Sequence, residues 1–245
     1  MRGLRERRHT RPVPTRIGLF GTGRLGSAIR RLADSRDDVD VVWAVGSGEP
    51  EPREAVDVAI DVSTGTAVAA HLAWAQLSGT DLVVGATGFD PALLDTELGV
   101  RVLVAPNFSL GVALARRVSR LLGGYAAAHR AAGIPVDLAV TETHHRHKVD
   151  APSGTALSLR DALADAAGAG AADVQTTSLR LGEVVGEHEV TLASPTETIT
   201  LRHTAHGRDL FATGALTAAL WLTDRPGPGL FTLDDLAEDH LKETA

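Results

Sequence analysis

The chain has no cysteine among its 245 residues. Disulfides, thiolate nucleophiles and cysteine-based metal centres are therefore excluded. Aromatic side chains make up only 4% of it, so the interior must be built from Ala, Val and Leu. No run reaches the roughly 18 apolar residues that a membrane helix needs, and no membrane partner is expected. Residues 1–15 carry Arg2, Arg5, Arg7, Arg8 and Arg11 but lack the apolar stretch of a secretory signal. They read as a disordered basic extension on a cytoplasmic protein. The formal charge is −7, and the body beyond the extension is more acidic still. That balance argues against nucleic acid as a partner.

What remains, 44% of it hydrophobic, suffices for one large or two modest domains. From Arg16 onward, strands are expected at Ile17–Phe20, Val41–Val45, Val56–Val62, Leu82–Gly85 and Val102–Ala105. Helices are expected at Leu25–Ala33, at Thr66–Leu77 with Ala67, Ala70, His71 and Trp74 on one face, and at Pro91–Glu97. Apolar strands alternating with helices describe a parallel sheet covered on both faces. After Asn107 the pattern changes. Helices are expected at Leu110–Leu122, Thr155–Ala166, Phe211–Leu222 and Leu233–Leu241, with a strand at Val136–Thr143. The stretch Thr177–His206 alternates in the β manner, which predicts an antiparallel sheet. The fold class is α/β, a nucleotide-binding-type half followed by an α+β half.

Gly21-Thr22-Gly23-Arg24-Leu25-Gly26 follows a strand and opens a helix. The first glycine permits the tight turn, the second lets a pyrophosphate approach, and the third lets the helix pack closely. The phosphates would rest on the free N–H groups of the helix N-terminus. A carboxylate about 20 residues on would bind the ribose 2′-hydroxyl of NADH, but none precedes Glu49. Ser47 and Arg24 are placed to receive a 2′-phosphate instead, so the reading leans to NADPH over NADH. Gly85-Ala86-Thr87 and Ala105-Pro106-Asn107-Phe108 close the fourth and fifth strands, where the nicotinamide end is expected.

Within Glu142–Ala156, His144, His145, Arg146, His147 and Lys148 crowd together. Such a cluster calls for an anion. A metal site needs imidazoles converging on one ion, but His145 and His147 share a face that His144 does not, and no metal is expected. A lysine among cations gives up its proton readily, and histidine titrates near neutrality. Pro152 stiffens the following turn and Ser153 is a plausible N-cap. Gly154 and Thr155 then present N–H groups as a carboxylate cradle.

The block Glu142–Ala156 resembles the signature of the bacterial dihydrodipicolinate (4-hydroxy-tetrahydrodipicolinate) reductase family. So do Val84–Asp90, Ala105–Val112, Val185–His188, and Phe211-Ala212 with Gly214-Ala215. The resemblance implies a homotetramer with a Rossmann domain over 16–108 and 209–245. Residues 109–208 would form an α+β substrate-binding and oligomerisation domain with a largely antiparallel sheet. It implies reduction by NAD(P)H, with loss of water, of a small dicarboxylate in diaminopimelate and lysine synthesis. It also implies His144 as general acid and Lys148 as second proton donor. His145, Ser153, Gly154, Thr155 and Arg208 would be substrate contacts. The chain departs from the family in a glycine loop one residue shorter, in Gly46 where the ribose acid would align, and in Ala86 for Thr.

Overall fold

The computed structural model describes residues 13–49 and 54–243. Most of the basic extension lies outside the described residues, and Thr15, counted with it above, opens the first strand. In chain order the elements are β1 (Thr15–Phe20), α1 (Arg24–Ala33), β2 (Val39–Val45), β3 (Val58–Asp61), α2 (Val68–Ser78), β4 (Asp81–Val84) and β5 (Arg101–Val104). Next come α3 (Leu110–Ala131), β6 (Asp137–His144), α4 (Gly154–Ala166), β7 (Val174–Arg180), β8 (Gly186–Ala193) and β9 (Thr198–Ala205). The chain closes with α5 (Asp209–Thr223), β10 (Gly229–Thr232) and α6 (Leu233–Glu243). The described residues up to Val102, with Ala219–Leu230, form one compact unit; Leu103–Ala218, with the chain from Phe231 on, form the other.

The first unit carries the six-stranded sheet, in the order β10-β5-β4-β3-β1-β2. β1 pairs in parallel with β2 and β3, and β3 with β4. β3 and β4 are buried along their whole length and apolar except for Asp61 and Asp81, as strands of a parallel sheet covered on both faces are. Each fully buried Leu or Ile here contributes about 1.5–3 kcal/mol. Gly18 stands in register with Trp43, whose indole lies across it; a Cβ there would come 2.1 Å from the ring.

Two expectations for this unit are corrected. The expected helix over Pro91–Glu97 is only a short 3₁₀ turn over Pro91–Leu94. The buried stripe of α2 is Val68, Leu72 and Ala75 rather than Ala67, Ala70, His71 and Trp74. A 3₁₀ turn at Gly65–Ala67 delays the α-helix to Val68 and shifts its phase. His71 and Trp74 instead pack on Phe20, His71 stacked at 3.8 Å and Trp74 edge-on.

The second unit carries a four-stranded sheet, β7-β6-β8-β9. β6 and β7 run parallel, joined by α4 as crossover, while β6/β8 and β8/β9 are antiparallel. One face of this sheet packs Leu138, Val140, Val190 and Leu192 against Leu122 and Ala126 of α3 and Leu159 and Leu163 of α4. α3 runs nine residues beyond its expected end at Leu122. Gly123 reads as a breaker in sequence, yet it is the contact point between the helices: a Cβ there would lie 2.4 Å from the Leu163 carbonyl oxygen. β10 was not expected at all; it follows Pro226-Gly227-Pro228, which reads as a loop.

Candidate active site

Near the carboxyl end of β6 the apolar face of the four-stranded sheet gives way to a polar row. Strand register places Ser178 of β7, Glu142 of β6, His188 of β8 and His203 of β9 side by side across the sheet. His144, two residues beyond Glu142, lies on the same face beside Arg180. Glu142, His144 and His188 are all buried. Buried ionisable groups persist only when paired, and these are.

Glu142 is the hub. Its Oε1 accepts from the Arg180 guanidinium at 2.8 Å and from the Ser153 N–H at 3.2 Å. Its Oε2 is in contact with His144 Nδ1. Burial pushes the Glu142 carboxyl up, but the Arg180 hydrogen bond, the neighbouring Ser178 hydroxyl and the nearby His144 and Arg180 charges outweigh it and hold it at about 2. The acid is therefore ionised at neutral pH.

His144 feels the opposite balance. Burial, with help from Lys148 and Arg180, lowers its pKa below the ordinary 6.5, although Glu142 pulls the other way. With Nδ1 turned to the carboxylate, Nε2 is the nitrogen left to serve a ligand. It lies 3.1 Å from where a Cβ on Gly186 would stand, so the glycine keeps that side open. A carboxylate–histidine pair of this kind fixes the tautomer and orients the ring for proton transfer.

The N-termini of α4 and α3 are anchored to the same row. Ser153 caps α4: its Oγ accepts from Ala156 N at 3.2 Å. The hydroxyl proton is then free to reach His188 Nε2, 3.3 Å away, which leaves the His188 proton on Nδ1. Burial first, then the neighbouring His144 and His203, hold His188 at about 4, so it is neutral. Ser109 caps α3 in the same manner, with Oγ accepting from Val112 N and lying 3.3 Å from His203 Nε2. Asn107 links the two caps: Oδ1 accepts from Ser109 N at 2.8 Å, and Nδ2 donates to Thr155 Oγ1 at 3.0 Å.

Several sequence candidates thus meet and others do not. His144 and Ser153 meet through Glu142, while Thr155 and Asn107 belong to a neighbouring network that runs through Ser109 to His203. The N–H and hydroxyl of Ser153 are both engaged within the protein. Gly154 opens α4 with free space above it. Lys148 is ion-paired with Asp150 at 2.8 Å rather than standing among cations alone. Arg180 ties the loop down, donating to the carbonyl oxygens of Lys148 and Asp150 as well as to Glu142. His145 and His147 face each other with ring centres 6.3 Å apart. Arg208 is exposed just before α5. Glu142, Arg180 and His188 were not expected as site residues. Only the register of β6 with β7 and β8 brings them together, and no local motif carries that.

Glu142, His144 and His188 each offer a metal-donor atom, all within 4.8 Å of one another. The Arg180 guanidinium already neutralises the only carboxylate of that set, which suits proton transfer rather than a cation.

The first unit holds the glycine loop. Gly21 has φ +104°, and a Cβ there would lie 2.7 Å from the Val62 carbonyl oxygen. Gly26 would place a Cβ 1.9 Å from the Gly21 oxygen, whereas Gly23 between them has nothing within 4 Å. Two glycines forced by lack of room thus flank one facing open space, which fits a bound pyrophosphate. Thr22 and Arg24 are exposed on the loop, Leu25 is half-buried, and Ser47 is exposed in the turn after β2. Gly85 and Ala86 spend their N–H groups on the Asp61 carbonyl oxygen, at 2.8 and 3.2 Å, while Thr87 is exposed. Gly65, unremarked in sequence, fits against this turn: a Cβ there would be 2.4 Å from the Thr87 oxygen. In the second unit, Ala105 and Phe108 are buried and Pro106 is exposed.

Known proteins match along nearly the whole chain. Residues 15–108 match the family "Dihydrodipicolinate reductase, N-terminus", and residues 111–237 match "Dihydrodipicolinate reductase, C-terminus". The 4-hydroxy-tetrahydrodipicolinate reductase of Gluconobacter oxydans is 38% identical, over 90% of this chain and 96% of its own. That of Xanthomonas campestris pv. campestris is 39% identical, over 91% and 98%. Among solved structures, dipicolinate-bound dihydrodipicolinate reductase from Paenisporosarcina sp. TG-14 superposes with a TM-score of 0.77, covering 91% of this chain and 99% of its own at 20% identity. That likeness bears on the fold.

Proposed function

The chain belongs to the dihydrodipicolinate reductase family, and from that premise we propose that it reduces 4-hydroxy-tetrahydrodipicolinate, with loss of water, in diaminopimelate and lysine synthesis. The observation that carries the site assignment is the Glu142–His144 pair, set among Arg180, Lys148 and the N-terminus of α4. The substrate bears two carboxylates, and the site sets Arg180, Lys148 and a helix N-terminus beside a histidine.

NADH or NADPH, held by Gly21–Gly26, supplies a hydride when bound. Hydride addition to a carbon conjugated with an imine leaves an enamine, which must take a proton at the neighbouring carbon. The dianionic substrate raises the His144 pKa, and the imidazolium so formed delivers that proton from Nε2, its Nδ1 turned to Glu142. Lys148 is the second donor and also a counter-charge for a substrate carboxylate. Gly154 and Thr155 offer the helix N-terminus to the other carboxylate, with His145 beside them; Arg208 adds positive potential. Ser153 acts on the substrate through position, since it seats both α4 and Glu142. In the first unit Gly85, Ala86 and Thr87 are assigned to the nicotinamide end; in the second, Ala105–Phe108 keep their expected role as coenzyme contacts.

The reading extends to assembly and place. The outer face of the four-stranded sheet carries Thr141, Thr143, Thr177, Thr191 and Thr200 alongside the Glu189–Arg202 ion pair. This face is the one we assign to packing against a second copy in a homotetramer. Among the described residues no helix is long and apolar enough to cross a membrane; a biosynthetic step of this kind belongs in the cytoplasm. The test is oxidation of NADH or NADPH with substrate generated in place by the preceding synthase. Turnover inhibited by pyridine-2,6-dicarboxylate is expected; no oxidation of either coenzyme would overturn the reading.

A further inference from the structure

The end of β2 departs from what its sequence leads one to expect. β2 ends at Val45, and the four residues that follow close a tight turn: Glu49 N donates to the Gly46 oxygen at 3.3 Å. Gly48, at φ +82°, supplies the left-handed step that reverses the chain. The reversal swings the Glu49 side chain back, and its Oε2 accepts from the Gly46 N–H at 2.7 Å. The carboxylate therefore sits at the carboxyl end of β2, three residues later in sequence than where an acid would align.

Residue 46 itself has no room for a side chain. A Cβ there would lie 2.8 Å from Thr22 Oγ1 of the glycine loop, and 3.9 Å from the Glu49 carboxylate. Position 46 is therefore a glycine because Thr22 crosses it, and Glu49 brings an anionic group to the space a residue-46 side chain would have served. Both strands flanking this point are fixed: Gly21 N donates to the Val45 oxygen at 2.8 Å. A carboxylate beside the glycine loop at the end of the second strand is the chemistry that accepts a ribose 2′-hydroxyl and repels a 2′-phosphate.

We propose that Glu49 is the coenzyme-specificity residue of this reductase and that it makes NADH the preferred reductant. The proposal rests on the nucleotide-binding reading of the glycine loop. It reverses the lean toward NADPH drawn from Ser47 and Arg24, because that lean assumed the region lacks an acid. Ser47 remains in the turn, but any phosphate it received would face the Glu49 carboxylate.

The experiment is equilibrium binding of NADH and NADPH to the full-length wild type and to Glu49→Gln, by calorimetry without substrate. The wild type is expected to bind NADH about tenfold more tightly than NADPH, the equivalent of one charge-assisted hydrogen bond. In Glu49→Gln, NADH weakens about tenfold and NADPH does not, so the preference disappears. If Glu49 only braces its turn, both coenzymes weaken alike and the proposal falls. A second arm needs no variant: 5′-AMP should bind the wild type more tightly than 2′,5′-ADP, and the reverse order overturns the assignment. Tight binding with NADPH preferred would sink the Glu49 assignment and leave the reductase reading standing. Failure of both coenzymes to bind the wild type would remove the two together.

Discussion

Replacing Glu142 by Gln removes the one buried negative charge on which Arg180, His144 and Ser153 converge. The carboxyl sits at about 2 in the folded protein against an ordinary 4.5. At about 1.4 kcal/mol for each tenfold change in proton affinity, that difference corresponds to about 3 kcal/mol of folding free energy. Because the folded pKa is depressed, the contribution is complete above about pH 4.5 and drains away as the pH falls toward 2. Glutamine keeps the shape but not the charge, so it lacks both the stability and its pH dependence. It also leaves the largely buried Arg180 guanidinium without an anionic partner, which adds to the loss. Urea unfolding at pH 7 should therefore show Glu142→Gln about 3 kcal/mol less stable than wild type. The gap should shrink to less than about half by pH 3. A gap that stays constant from pH 7 to pH 3 would refute the claim that a charged Glu142 holds this row together.

Three further outcomes follow from the geometry. Ser153→Ala removes the α4 cap, worth about 1 kcal/mol, and the donor to His188; calorimetry should show a melting temperature a few degrees lower. Gly123→Ala pushes a methyl against the Leu163 oxygen at 2.4 Å and should cost about 1–3 kcal/mol in urea unfolding. The neighbouring Gly124→Ala meets open space and should be neutral or slightly stabilising, since alanine suits a helix interior better. Burial holds His144 below the ordinary histidine value, and a dianionic ligand beside it raises that value. Binding of pyridine-2,6-dicarboxylate near pH 6.5 should therefore take up protons, seen as a buffer-dependent calorimetric heat; equal heats in all buffers would place His144 away from the ligand.

The elements legible in sequence are those with local causes. The glycine loop, the strands after it and the Ser153 cap all follow from short-range patterns, and all are present. Expectation and structure part where the cause is a distant neighbour. Gly123 reads as a helix stop but is a helix–helix contact, so α3 was cut at Leu122. Arg180 and His188 stand 38 and 46 residues beyond Glu142 and meet it only through strand pairing; a one-residue slip would turn them to the opposite face. Glu49 is a further case: its sequence offset from β2 hides that a glycine turn returns its carboxylate to the strand end.

The central claim is that the loop after β6 supplies protons while the glycine loop binds coenzyme independently. Lys148→Ala tests it most directly, with turnover and coenzyme dissociation constant measured on the same preparation. The account predicts kcat lower by about 10²-fold or more, with the dissociation constant within about twofold of wild type. Near-wild-type turnover in that variant would contradict it.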